Sequence, residues 1–272
     1  MSRDPGLSTL ADRTIADFGD QWTRFQGNEG YYGSTQLLED IVHPLISLAD
    51  IAGKHVAEIG SGTGRIVQML LDAGVAHVYA LEPSAAYDVL VRNVERHGSR
   101  VEPVRATGEH LPRDRQFDLI VSIGVLHHIP EPAPVVRAAF EALKPGGQML
   151  VWLYGREGNL VYLAMTLPLR AITTRLPSRA VLTLARLLAT MLVPYSRLCR
   201  RVRLPLRGYF AEVFGRMDRD KQVLIIYDQL RPAYARYYSK AEAMALLSDA
   251  GFSDVRTHHR HGYSWALQGT KR

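Results

Sequence analysis

The distribution of apolar and polar residues divides the chain into four regions. Within residues 51–154, short runs of apolar and β-branched residues alternate with stretches of helical periodicity. The predicted strands of this region are His55–Ile59, His77–Leu81, Val101–Arg105, Phe117–Ser122 and Gln148–Leu153. Such alternation is typical of a parallel sheet whose strands are joined by crossover helices.

The other three regions flank or interrupt this pattern. Residues 1–50 are predicted to form a mostly helical N-terminal lid, and residues 155–235 a helical insertion that caps the substrate or contacts another subunit. Residues 236–272 resume the alternation with a capped helix and two strands, Phe252–His258 and Tyr263–Gln268. The sequence therefore predicts a doubly wound α/β fold with a mostly parallel seven-stranded sheet. A C-terminal antiparallel hairpin and the helical insertion complete it.

Composition and charge narrow the class of protein. With 47% hydrophobic and 22% charged residues, the chain has the balance of a soluble globular protein. No apolar secretory signal follows Met1, and the single Cys199 excludes an internal disulfide and a cysteine-built metal site. We therefore expect a cytoplasmic location and no bound metal.

The most specific motif is a glycine loop after the first predicted strand. Glu58 is followed by glycines at alternate positions, Gly60, Gly62 and Gly64. Glycine allows the backbone to approach a ligand closely. The spacing differs from the G-x-G-x-x-G pattern of dinucleotide-binding loops. A carboxylate at the head of the loop favours a ligand that carries a cationic amino-acid group.

A second acidic residue ends the second predicted strand. Glu82 lies 22 residues after Gly60, which is one strand–helix–strand return, and Pro83 follows it. A carboxylate in this position can accept hydrogen bonds from both hydroxyls of a ribose. The alternative is a solvated carboxylate at the end of a strand.

Four blocks together resemble the class I S-adenosylmethionine-dependent methyltransferases, in particular their small-molecule type 11/12 group. They are the glycine loop, the strand that ends at Glu82, the segment Ala106–Pro112 and the segment Phe117–Pro132. The resemblance covers roughly residues 54–154. It implies S-adenosyl-L-methionine as cofactor and S-adenosyl-L-homocysteine as product.

The resemblance also implies roles for individual residues. Glu58 would lie near the cofactor's amino group, and Glu82 would bind the ribose. The remaining implied cofactor-binding residues are Gly60, Ser61, Gly62, Gly64, Pro83, Gly108, Glu109, Ser122, Ile123 and Gly124. Tyr31 and Tyr32 resemble an aromatic segment that closes over the cofactor, with packing against the core as the alternative.

Candidates for catalysis follow the fourth predicted strand. His127 and His128 lie where ligands bind in this fold class, at the carboxyl end of the sheet. A histidine there can remove a proton from an O–H or N–H acceptor, or it can cap the loop. Tyr154, and Tyr227 with the adjacent Asp228, are weaker candidates for the substrate pocket.

The insertion carries an unusual charge pattern. Between Asn159 and Ala211 there are nine arginines and no Asp, Glu or Lys, so the rest of the chain is net negative. Such local basicity does not support a nucleic-acid partner. No uncharged apolar run reaches 18 residues, from which we expect no membrane-spanning helix. The apolar faces of residues 179–193 are expected to be buried in one of three ways. The segment would form a lid over the acceptor, contact a second subunit in a homodimer, or bind the inner membrane surface.

The sequence thus predicts a methyltransferase that acts on a small or lipid-like organic acceptor, of natural-product, cofactor or glycolipid type. Two other functions stay open. One is a nicotinamide-dependent oxidoreductase on a similar fold, and the other is a non-catalytic protein that binds adenosylmethionine.

Overall fold

The computed structural model describes residues 5–272, and side chains from residue 9 onward. Residues 1–4 of the predicted N-terminal lid therefore lie outside the described residues. The strands are β1 His55–Ile59, β2 His77–Leu81, β3 Val101–Val104, β4 Phe117–Ile123, β5 Leu143–Tyr154, β6 Ser253–Arg260 and β7 Ser264–Thr270. The helices are α1 Pro5–Arg24, α2 Thr35–Val42, α3 Arg65–Asp72, α4 Tyr87–Val94, α5 Ala133–Ala142, α6 Leu160–Thr173, α7 Ser178–Cys199, α8 Arg207–Glu212, α9 Arg219–Leu230 and α10 Lys240–Ser248.

The seven strands form one sheet in the order β3-β2-β1-β4-β5-β7-β6. Strands β1 to β5 run parallel to one another, and β7 pairs antiparallel with both β5 and β6. The strand order reverses between β1 and β4, since β2 and β3 follow on one side of β1, and β4 and β5 on the other. Ligands bind at this point in doubly wound folds. The predicted fold class, including the C-terminal hairpin, is confirmed.

Strand β5 begins earlier than the sequence predicts. Leu143 pairs with Phe117, and the regular register resumes only where Gln148 faces Leu119. The intervening residues, including Gly146 at φ 79°, form an irregularity in the strand rather than a separate turn. The Lys-Pro-Gly-Gly segment thus bends the strand without ending its pairing.

Helices α6 to α9 lie between β5 and α10 in the chain and pack largely on one another. Their shared core includes Val181, Ala185 and Ala189 of α7, which are fully buried beside Tyr227 and Leu230 of α9. We call residues 155–235 the cap. Whether the cap is a separate functional unit stays a prediction.

Two large apolar residues of α7 are not buried within the chain. Leu187 is 60% exposed and Met191 is 72% exposed, because the buried face of the helix is made by small residues instead. The expectation that no helix could span a membrane was too strict. Helix α7 is long and apolar enough to do so, although one such helix is weak evidence for a membrane span.

Candidate active site

A large cavity lies at the carboxyl ends of the parallel strands. Its volume is about 1060 Å³. Its wall includes the loops that follow β1, β2 and β4, and it extends beneath α1 and the cap. The cavity is thus at the upper end of the range for ligand pockets, which is roughly 300–1,000 Å³.

The glycine loop after β1 is fixed to the end of β2 by hydrogen bonds. The backbone N–H groups of Gly60 and Ser61 both donate to the Leu81 carbonyl at 2.9 Å. Gly62 N–H donates to Glu82 Oε2 at 2.7 Å, and Ser84 N–H donates to Glu82 Oε1 at 2.9 Å. The carboxylate of Glu82 is therefore held in one orientation at the cavity wall, with lone pairs left for a ligand.

Packing requires glycine at the first position of the loop. Gly60 has φ 77°, and a Cβ atom there would lie 2.5 Å from Val125 Cγ2. Gly64 does not line the cavity; it packs near Leu90 and Val94, where a Cβ would lie 3.0 Å from each. The three glycines therefore serve different purposes.

Glu58 is a buried acid at the base of the cavity. Its side chain is only 2% exposed, and its Oε2 atom has no hydrogen-bond partner. Burial raises the pKa of Glu58 to about 8. The side chain of Ser61, which also lines the cavity, lies beside Glu58 and partly opposes that rise. An unsatisfied buried carboxyl group is costly unless a ligand supplies a donor, and a cation does so best.

The next parts of the wall come from the segments after β3 and β4. Gly108, Glu109, Ile123 and Gly124 line the cavity, whereas Ser122 is fully buried and does not. A Cβ atom at Gly108 would lie 2.6 Å from Ile59 and 2.7 Å from Val135. Only glycine fits this close contact.

The N-terminal region closes one side of the cavity. Trp22 and Tyr32 are in the wall, together with Phe18 of α1. The side chains of Asn28 and Thr63 bond to each other at 2.6 Å, which ties this region to the glycine loop. Tyr31 is not in the wall; its ring lies 3.9 Å beneath the guanidinium of Arg216.

His128 lines the cavity in a defined tautomer. Its Nδ1 atom lies 2.7 Å from the Tyr234 carbonyl, which can only accept, so Nδ1 carries the proton and Nε2 carries the lone pair. Burial lowers the pKa of His128 to about 4, partly opposed by Asp228. The ring is therefore neutral at physiological pH and can accept a proton at Nε2.

His127 takes a different position from its neighbour. It is fully buried, does not line the cavity and stacks on Tyr154 with ring centroids 3.8 Å apart. Neither ring nitrogen has a partner, and burial lowers the pKa of His127 well below its ordinary value. The structure thus brings only one of the two predicted histidines to the cavity.

A hydrogen-bond network surrounds Tyr154, a predicted substrate-pocket residue that lines the cavity. Its hydroxyl donates to Asp228 Oδ2 at 2.9 Å and accepts from Gln229 Nε2 at 2.6 Å. Gln21 of α1 donates to the other oxygen of Asp228 at 2.8 Å. Burial raises the pKa of Tyr154 well above its ordinary value, so the hydroxyl keeps its proton.

Tyr227, the other substrate-pocket candidate, lies in the core of the cap. It is fully buried, and its hydroxyl is 3.4 Å from Asp20 Oδ2. The adjacent Asp228 and Gln229 line the cavity instead. No sequence pattern points to Gln21 or Gln229, because their role depends on where two distant helices meet.

The remainder of the wall is apolar and comes mainly from the cap. It includes Met165, Leu169, Leu188, Met191, Leu192, Leu206, Val213 and Met217. Tyr162, Tyr209 and Tyr263 add aromatic surface. This part of the cavity is suited to an apolar molecule.

The part of the chain that carries the glycine loop and Glu82 matches a known family. The model of the "Methyltransferase domain" family matches residues 57–151, from β1 through most of β5. The match assigns residues 57–151, about a third of the chain, to this family of methyltransferase domains. The cofactor of this family is S-adenosylmethionine.

Curated relatives match over the same part of the chain. A tRNA U34 carboxymethyltransferase of Idiomarina loihiensis is 27% identical over 41% of this chain and 36% of its own length. A ubiquinone biosynthesis O-methyltransferase of Marinobacter nauticus is 34% identical over 39% of this chain and 47% of its own. The matched region thus spans about half or less of these relatives.

Solved structures of methyltransferases share the fold over nearly the whole chain. Magnesium protoporphyrin IX methyltransferase from Synechocystis PCC 6803, with S-adenosylhomocysteine bound, has a TM-score of 0.56 at 15% identity. That match covers 97% of this chain and 99% of the other. An N1-methyltransferase of 1,6-didemethyltoxoflavin from Burkholderia thailandensis has a TM-score of 0.54 at 14% identity, covering 100% and 92%. At these identities the likeness shows the fold alone.

Proposed function

We propose that this chain transfers a methyl group from S-adenosylmethionine to an apolar or lipid-like organic acceptor. The observation that carries the proposal is a single cavity with two kinds of wall. Acidic residues and backbone groups of the family's glycine loop form one part, and apolar side chains of the cap form another. His128, Tyr154 and Asp228 line the same cavity.

The residues present fit the cofactor. Glu58, whose Oε2 atom lacks a partner, would bind the cationic amino group, and Glu82 would accept from the ribose hydroxyls. Ser61, Gly108, Glu109, Ile123 and Gly124 would complete the pocket. When bound, the cofactor supplies a methyl group activated by its sulfonium.

The chain's own residues would bind and orient the acceptor and take its proton. The neutral His128 can accept a proton at Nε2 as the methyl group forms its new bond, and the apolar wall excludes water. The names of several curated relatives, ubiquinone biosynthesis O-methyltransferases, support oxygen as the acceptor atom. We therefore propose a hydroxyl-bearing acceptor.

The two other functions have less support. The glycine loop departs from the dinucleotide pattern, which disfavours a nicotinamide-dependent oxidoreductase. A protein that only binds the cofactor would have no need for an apolar cavity beside it. Calorimetric titration with S-adenosylhomocysteine and with NAD distinguishes our proposal from the oxidoreductase. Binding of NAD without binding of S-adenosylhomocysteine would exclude our proposal.

Turnover on probe acceptors tests the rest of the proposal. Radiolabelled S-adenosylmethionine would be offered with 4-alkylcatechols of increasing chain length. If the apolar wall binds the alkyl chain, kcat/KM should rise about fourfold for each added methylene, in line with about 0.8 kcal/mol per buried methylene. Equal rates for all chain lengths would exclude a lipid-like acceptor.

A cavity-filling variant provides the matched control. Leu169→Trp would occupy part of the apolar wall and should remove the preference for long chains while leaving S-adenosylhomocysteine affinity unchanged. Binding of S-adenosylhomocysteine with no labelled product from any acceptor would favour the protein that only binds the cofactor.

A further inference from the structure

The outer face of α6 and α7 exposes an unusual number of large apolar side chains. We call it the α6–α7 face. Its exposed apolar residues are Leu160, Val161, Met165, Leu167, Ile172, Leu187, Met191 and Leu198. Contiguous apolar patches on a soluble monomer are normally small, and a larger one marks an interaction site.

Exposed arginines are interleaved with these residues. Of the nine arginines between residues 159 and 211, all except Arg170 are exposed. On α7, Arg179, Arg186 and Arg197 share one exposed stripe, which lies beside the stripe of Leu187 and Met191. The segment contains no Asp, Glu or Lys, so the face is positive throughout its length.

The charge pattern decides between possible partners. A symmetric dimer through this face would place each set of arginines against an identical set, with no acidic residue of the segment to pair with them. Nucleic acid would account for the arginines but not for the exposed leucines and methionines. An anionic lipid surface accounts for both, because acyl chains bury the apolar residues and headgroups bind the arginines.

The helix geometry favours binding in the membrane plane over crossing the membrane. The opposite side of α7 is buried against α9 through Val181, Ala185 and Ala189. A helix that crossed the bilayer would lose these contacts. The exposed half alone is available to lipid.

The face also coincides with the mouth of the cavity. Val161, Met165 and Met191 line the cavity, yet they are 69%, 72% and 72% exposed. These three side chains therefore lie at an opening of the cavity on the α6–α7 face. A molecule dissolved in the acyl region would reach the cavity there without crossing water.

We propose that the α6–α7 face docks onto an anionic lipid bilayer, with Val161, Met165 and Met191 opening the cavity toward the acyl chains. The docking surface stands independently of the proposed function. The entry route for an apolar acceptor rests on the proposed function.

Vesicle flotation of the full chain tests the docking. We expect binding to vesicles of 70% phosphatidylcholine and 30% phosphatidylglycerol at 0.1 M NaCl, and little binding to phosphatidylcholine alone. The triple variant Arg179→Gln, Arg186→Gln, Arg197→Gln should weaken binding on the order of 100-fold, since each arginine near an anionic surface contributes about fivefold. The matched control is Arg92→Gln, Arg96→Gln, Arg137→Gln, which removes the same charge elsewhere and should retain most of the binding.

Further variants test how much the apolar residues contribute to vesicle binding and which side of the protein faces the bilayer. Leu160→Ser with Leu187→Ser should reduce vesicle binding while S-adenosylhomocysteine affinity stays unchanged. Tryptophan introduced at Met191 should be quenched by brominated acyl chains, whereas tryptophan introduced at Arg137 should not. Vesicle binding without quenching at residue 191 would overturn the entry route alone.

Other outcomes would overturn the docking itself. Equal flotation with both lipid mixtures, or with both arginine variants, would exclude an anionic bilayer as the partner of this face. A dimer lost on Leu187→Ser, with no vesicle binding, would assign the face to a second copy of the chain. Binding to duplex DNA that the serine variant does not change would assign it to nucleic acid. Failure of cofactor binding, with flotation intact, would refute the proposed function and the entry route but not the docking.

Discussion

Gly62 donates its backbone N–H to the Glu82 carboxylate at 2.7 Å, which joins the glycine loop after β1 to the end of β2. The acid is thus oriented before any ligand arrives, because Ser84 holds its second oxygen. Preorganised acceptors of this kind bind ligand hydroxyls without the cost of ordering a side chain.

We predict that Glu82→Ala weakens S-adenosylhomocysteine binding by about 1–3 kcal/mol, the range for hydrogen bonds to a charged group. Calorimetry measures the effect. Glu95→Ala, at an exposed carboxylate outside the cavity wall, serves as the control and should bind like the wild type. Unchanged affinity of the Glu82 variant would remove this residue from the ribose site.

Glu58 makes cofactor binding depend on pH. Because its pKa is raised to about 8, the side chain is largely protonated at pH 6 and must lose its proton to bind the ligand's ammonium group. We expect the affinity for S-adenosylhomocysteine to rise by up to about tenfold per pH unit between pH 6 and 8, with proton release on binding. Calorimetry in buffers of different ionisation enthalpy measures that release. The Glu58→Gln variant should bind weakly with no such dependence; a pH dependence that persists in it would contradict this assignment.

The same residue should cost folding stability at neutral pH. A carboxyl group whose pKa is about 8 when folded, against 4.5 ordinarily, favours the unfolded state as pH rises from about 4.5 to 8. Glu58→Gln should therefore raise the melting temperature at pH 8 and change it little at pH 4.5. A variant that is less stable than the wild type at pH 8 would show that other groups stabilise the ionised Glu58 in the protein without ligand.

His128 is expected to accept the proton of the acceptor. His128→Gln should lower kcat on a catechol probe by about 10²–10⁴-fold while S-adenosylhomocysteine affinity stays unchanged. His97→Gln, remote from the cavity wall, is the control. Since the pKa of His128 is about 4, its protonation should not reduce kcat between pH 6 and 8. A kcat that falls with a midpoint near 6.5 would be inconsistent with this environment.

Gly108 tests the packing of the cofactor pocket. In Gly108→Ala the new methyl group would contact Ile59 and Val135 at 2.6 and 2.7 Å, so either the pocket or the strand must shift. We expect a loss of about 1–3 kcal/mol in unfolding free energy and weaker cofactor binding. Gly53→Ala meets no atom within 4 Å and should show only the backbone strain of its φ of 74°, leaving cofactor binding intact. Equal effects of the two variants on binding would contradict the argument.

The strands that hold the site follow closely from the sequence. Strands β1 and β2 occupy the predicted residues, because a parallel strand buried on both faces must be a continuous apolar run. The glycine loop and Glu82 follow these strands directly, so their approach to each other is a consequence of local order and parallel pairing. Most of the cofactor-binding residues that the resemblance implies accordingly lie in one wall.

The local sequence pattern does not decide which of two adjacent residues faces the cavity. Tyr227 and Asp228 are neighbours on α9, yet one is in the core and the other in the cavity wall, since successive helical side chains point about 100° apart. The pair His127 and His128 divides in the same way at the end of β4. Which member faces the ligand depends on the rotation of each element against its neighbours.

By itself, the sequence determined the class of fold, the strands of the parallel core and the glycine–acid pair at its edge. Those features arise from hydrophobic periodicity and from residues close together in the chain. Only the tertiary structure decided that Gln21, Tyr154 and Asp228 share hydrogen bonds and that Leu187 and Met191 face outward. Such contacts join residues as much as 207 positions apart, and they exist only after distant helices have packed.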